Sequence, residues 1–208
     1  MSSAVTIFSR EGASSYEWLI QLLLTLGAAQ NVSPFYISNN NNDKFRDEVT
    51  RCTFAILYHS KRRGRINIVD VKDSLYDNEL KYLSEQLGRN NVIVVIDDLD
   101  DSSYEEKNRI LGSQPSIKEL TCELFLFSVA EKASLQHKQK ENYLPTVKDK
   151  INQLGKIVGN KGDTGHPKSS SSSSTECTKI IKFTLIIVII ITTYTEVCQW
   201  YNRVIIYW

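Results

Sequence analysis

Residues 92–96 read Val-Ile-Val-Val-Ile, and no other feature constrains the fold of this chain as much. Branched aliphatic side chains are stiff at χ1 and suit the pleated surface of a sheet. Five in succession leave no polar face, so the strand they predict is covered on both sides. That is the environment of a parallel sheet with helices above and below it. Residues 53–58 (Thr-Phe-Ala-Ile-Leu-Tyr) form a second such run, and residues 4–8 (Ala-Val-Thr-Ile-Phe) a shorter one.

The segments between these runs have helical periodicity. In 16–26 the apolar residues Trp18, Leu19, Leu22, Leu23 and Leu26 share one face, and Gly27 follows as a stop. Asp43 opens a predicted helix through Arg51, with Phe45 and Val49 four apart. Ser74 caps another running to Leu87, with a stripe of Leu75, Leu80, Leu83 and Leu87. A fourth covers 103–111, and Pro115 opens a further short turn. Short strands are expected at 35–37 and 124–127, and a strand or extended loop at 66–71. Strands alternating with helices of this length make right-handed βαβ units. Five strands imply a three-layer α/β domain, flavodoxin-like in layout, with a mainly parallel sheet of order 2-1-3-4-5.

The domain is expected to occupy residues 1–132. Residues 133–178 read as a polar linker rich in Lys and Ser: the stretch 136–168 has seven lysines against three acids, and 169–174 is all serine. A short helix near 146–154 is compatible with the spacing there. Residues 179–208 form a hydrophobic tail, with Phe-Thr-Leu-Ile-Ile-Val-Ile-Ile-Ile-Thr-Thr at 183–193 and Trp200, Tyr201, Tyr207 and Trp208 beyond it. Between Lys182 and Glu196 lie 13 uncharged residues, against roughly 20 for a full helical span. The basic approach and the flanking aromatics favour a C-terminal membrane anchor, a single pass leaving the domain on the cytosolic face. A buried strand or an aggregation-prone segment is the competing reading. The N-terminus has no basic region followed by a long apolar stretch, so no signal peptide is expected.

Composition narrows the chemistry. A net charge of +1 provides no overall field for nucleic acid. The cysteines, Cys52, Cys122, Cys177 and Cys198, have neither zinc spacing nor a disulfide pattern and suit a reducing compartment. There is no phosphate-loop, dinucleotide or nucleophile-elbow motif. Three local features remain. Asp97 and Asp98 follow the strongest strand, where an acidic pair can take Mg²⁺ or simply be a solvated loop. Lys61, Arg62, Arg63 and Arg65 crowd one loop beside His59, a possible anion or phosphate site at a strand's carboxyl end. Glu79 lies early in the third helix, where a rim carboxylate can hold a ribose hydroxyl or stabilise developing positive charge.

The order of these features resembles a TIR domain over about residues 4–128. VTIFSREGASSYEWLIQLL resembles that family's first strand and helix, and DKFRDEVTRCTFAILYHS its second helix and third strand. SLYDNELKYL resembles the segment leading into its third helix, and NVIVVIDDL its fourth strand. Leu75-Tyr76 stands where the family often has Trp-Cys, and the run 39–42 of asparagines replaces its loop with Arg-Asp and Pro-Gly. The resemblance implies a TIR-like layout of the same three-layer fold, and a signalling adaptor of innate immunity acting through protein partners, homotypic ones included, that meet its sheet edge, helices and basic loop. It also implies an alternative. NAD-cleaving members of the family use a glutamate of the third helix, and Glu79 is the matching position. No cofactor is expected otherwise.

Overall fold

The structure is a computed structural model, and it describes residues 4–136 and 143–159. Among the described residues, five strands and seven α-helices follow in the order β1 (Ala4–Ser9), α1 (Glu17–Thr25), β2 (Asn31–Tyr36), α2 (Asn42–Arg51), β3 (Phe54–Ser60), α3 (Asp77–Leu87), β4 (Val92–Leu99), α4 (Tyr104–Ser113), α5 (Pro115–Leu120), β5 (Glu123–Ser128), α6 (Val129–Gln136) and α7 (Pro145–Gly159). All strand pairs are parallel, in the order β2-β1-β3-β4-β5. The fold is the flavodoxin-like three-layer α/β arrangement that the alternating runs predict.

The period of two within each strand builds two cores. Ile56 and Tyr58 of β3, Ile93 and Val95 of β4, and Phe125 and Phe127 of β5 face α1 and α7. Their neighbours Ala55, Leu57, Val92, Val94, Leu124 and Leu126 face the opposite way, against Phe45 and Val49 of α2, Leu80 and Leu83 of α3, and Ile110 and Ile117. Both faces of the central strands are therefore dry, as the run at 92–96 requires.

Several boundaries differ from the sequence reading. β2 begins at Asn31 rather than at residue 35, because an edge strand is half exposed and carries Pro34, so its apolar pattern is faint. β4 continues through Leu99, so Asp97 and Asp98 are not a solvated loop: they are 0% and 6% exposed. α3 begins at Asp77, with the Ser74 hydroxyl donating to the Asp77 carboxylate instead of capping the helix. α2 is preceded by Asn41, not capped by Asp43. Residues 66–71 form a loop. Gln114 holds it, accepting from the Ile68 and Val69 amides (2.8 and 3.0 Å) and donating to the Ile66 carbonyl (2.8 Å).

The largest departure is α7, which falls inside the stretch read as linker. Val147, Ile151, Leu154 and Val158 recur at helical spacing, and all four are buried in the α1-side core. Gly155 and Gly159 face Leu26 and Ala28 across this packing, with room for a Cβ at ordinary contact distance. The compact unit accordingly includes α7. Among the described residues no helix is long and apolar enough to cross a membrane. The expected anchor at 179–208, and most of the expected linker, lie outside the described residues.

Candidate functional site

In open parallel sheets of this order, the crevice lies beyond the carboxyl ends of the strands, where β1 and β3 part company in chain direction. Two groups of side chains occupy that rim.

The first forms around Arg10, the residue directly after β1. Its Nη2 donates to Glu79 Oε1 at 2.8 Å, its Nη1 to Asn39 Oδ1 at 2.8 Å, and its Nε to the Leu75 carbonyl at 2.9 Å. One guanidinium thus joins the loops that follow β1, β2 and β3. Its amide donates to the Tyr76 hydroxyl at 3.2 Å, and its charge lies 5.9 Å from the Tyr76 ring centre. Glu79 sits in the first turn of α3, which tolerates a carboxylate because the helix dipole is positive there. Arg10 and Glu79 are each 18% exposed at the side chain. They open onto a cleft of about 550 Å³ between α2 and α3, whose walls include Asn39, Asn42, Arg46 and Tyr82. Glu79 is therefore placed at the rim, as its position in the sequence suggests. Arg10 was not among the sequence candidates; its place immediately after the first strand was the available clue.

The second group is centred on Lys132, near the start of α6. Its Nζ lies 2.8 Å from both Asp97 Oδ2 and Asp98 Oδ2. Successive strand residues point to opposite faces, so one lysine reaches both only because β4 is irregular there. The β4–β5 register shifts between Ile96 and Leu99, and Asp98 adopts φ 55°. Asp97 Oδ2 also accepts from Trp18 Nε1 (2.9 Å) and the Tyr58 hydroxyl (2.6 Å), and Asp98 Oδ2 from Ser60 Oγ (2.7 Å). Burial raises the Asp97 carboxyl above its usual range despite Lys132 and Tyr58. Burial also pushes on Asp98, but Lys132, Ser60 and Arg62 together hold that carboxyl below its usual range. The pair does not form a Mg²⁺ site, because the lysine ammonium already stands between the two carboxylates. Among the described residues no group of three or more His, Cys, Asp or Glu side chains is arranged to hold a metal ion.

The basic loop is brought to the same rim, but three of its four cations take different partners. Arg62 Nε lies 3.3 Å from Asp98 Oδ1, Arg63 Nη1 donates to the Arg10 carbonyl at 2.7 Å, and Lys61 Nζ donates to the Gly64 carbonyl at 3.3 Å. Arg65 contributes its carbonyl to His59 Nε2 at 3.2 Å.

His59 is fully buried, and that contact places its proton on Nε2. Nδ1 then faces Glu11 Oε1 across 4.0 Å. Burial pushes the imidazole pKa down from 6.5 to about 4. Between those two values the unfolded chain binds a proton that the folded one refuses, so stability falls as pH falls through that window, by about 1.4 kcal/mol per pH unit at most. Glu11 and Asp97, raised by burial, act with the opposite sign: the folded state takes up their protons first. His59→Gln removes only the first effect. Its melting temperature is expected to drop less between pH 7 and pH 5 than that of the unaltered chain. Parallel drops in the two chains would show that His59 does not titrate in this way.

No family model matches the chain, and no curated protein matches it. The TIR resemblance therefore rests on the segments quoted above and on the order of the elements.

Proposed function

We propose that this domain binds a ribose-bearing small molecule in the Arg10–Glu79 cleft and cleaves its N-glycosidic bond. The observation that carries the reading is the convergence of Glu79, from the first turn of α3, and Arg10, from the loop after β1, at the mouth of a cleft of about 550 Å³. That volume suits a small-molecule ligand. A carboxylate held by one arginine N–H keeps its other oxygen as a fixed acceptor for sugar hydroxyls. It also stands ready for the chemistry: as the C1′–N bond breaks, its electron pair passes to the departing ring nitrogen and C1′ becomes positive. Glu79 stabilises that charge, water adds at C1′, and the water's proton leaves to solvent. A protein-docking face has less support. The exposed large apolar side chains, Leu24, Tyr36, Tyr104, Val129 and Leu144, are spread over α1, β2, α4, α6 and the turn before α7.

NAD tests the reading. The purified full chain is expected to consume NAD, releasing nicotinamide, and Glu79→Gln to lower that rate by roughly 100-fold or more, the usual effect of losing one preorganised charge stabiliser. Equal consumption by both proteins, or none by either, overturns the proposal.

A further inference from the structure

The walls of the cleft carry three cations, Arg10, Arg46 and Lys81, against two carboxylates, Glu79 and Glu85. The ion pairs divide them unevenly. Arg10 is committed to Glu79 at 2.8 Å, and Lys81 lies 4.0 Å from Glu85 one turn along α3. Arg46 has no carboxylate partner among the described residues. Its guanidinium is held over the Tyr82 ring, 5.0 Å from the ring centre. Tyr82 follows Glu79 by three residues on α3, so the two lie on one helical face. Arg46, projecting from α2, therefore lies about one turn of α3 away from the carboxylate.

Stacking on an aromatic ring fixes the plane of a guanidinium but leaves its N–H donors free. A planar fork of donors with no internal acceptor matches a phosphate or a carboxylate presented in the cleft. On a ribose-bearing ligand the anionic group is phosphate. We infer that Arg46 is a specificity residue that reads a phosphate on the ligand, so the cleft selects nucleotides over nucleosides. This rests on the reading that a ribose-bearing ligand occupies the cleft. The first turn of α2 faces the same space without a side-chain cap, since the Asn41 side chain is engaged by the Ser38 amide and the Tyr36 carbonyl. Its positive end adds to the same preference.

The two parts are separable by calorimetric titration of the full chain with adenosine and with adenosine 5′-monophosphate. The nucleotide is expected to bind about 10-fold more tightly than the nucleoside, with the advantage shrinking as salt is raised. Arg46→Gln is expected to erase that advantage while leaving adenosine affinity unchanged. Glu79→Gln is expected to weaken both ligands alike. Arg46 is exposed and makes no ion pair among the described residues, so its replacement should change the melting temperature little. If both ligands bind equally to the unaltered chain, or if the advantage survives in Arg46→Gln, the phosphate inference fails while the ribose reading stands. If neither ligand binds, both fail together.

Discussion

Lys132→Met is expected to destabilise the domain by about 3–5 kcal/mol, the usual cost of removing one partner from a buried ion pair. Its ammonium sits 2.8 Å from two carboxylates, and Asp97 is 0% exposed. Arg62 stays near Asp98, but at 74% side-chain exposure it compensates weakly. The methionine fills the space without supplying charge, leaving Asp97 to ionise in a dry site or to take up a proton. The second course dominates as pH falls, because burial already raises that carboxyl. The deficit of the variant should therefore narrow between pH 7 and pH 5. Adding Asp97→Asn should restore part of the loss at neutral pH, since an amide oxygen still accepts from Trp18 and Tyr58. Urea midpoints at the two pH values measure all of this. A loss below 1 kcal/mol, with no dependence on pH, would mean that the cluster is wetter and weaker than its geometry indicates.

The second large effect concerns α7. A chain ending at residue 144 should fail to reach a cooperatively folded state, whereas one ending at residue 159 should fold. Val147, Ile151, Leu154 and Val158 are each at most 4% exposed. Each contributes about 1.5–3 kcal/mol of burial, set against a typical net stability of about 5–15 kcal/mol. Truncation also removes Lys150, whose Nζ lies 2.9 Å from Glu131 Oε1 and donates to the Leu126 carbonyl at 2.9 Å. Glu131, 4% exposed, would lose its cation. Near-ultraviolet circular dichroism and thermal melts of the two chains decide the matter. A shorter chain that melts cooperatively at the temperature of the longer one would show that α7 is dispensable.

How much the sequence disclosed depended on burial and on separation along the chain. β4 was legible because five branched aliphatics leave no choice of partner. β2 was not, because an edge strand exposes half of its residues and here contains Pro34. α7 had its apolar residues at the right spacing, but seven nearby lysines and two glycines within the helix masked a stripe of only four side chains. Glu79 could be placed at the rim by counting into a helix. Its partner Arg10 lies 69 residues earlier, and no local pattern links them. The pair Asp97 and Asp98 looks like a solvated acidic loop until Lys132, 34 residues beyond Asp98, is brought between them by the return of β5.

Pro34 and Lys150 have a joint consequence for how the molecule meets its own copies. β2 and β5 are the two strands with a neighbour on one side only. A bare margin of this kind templates further strands, and crowded chains can then grow into fibres through it. At one margin the proline supplies no N–H to an incoming strand. At the other, α7 reaches β5 through Lys150 to the Leu126 carbonyl and through Gln153 to the Glu123 carboxylate. Both features disfavour the addition of a sixth strand at the margins of the described sheet.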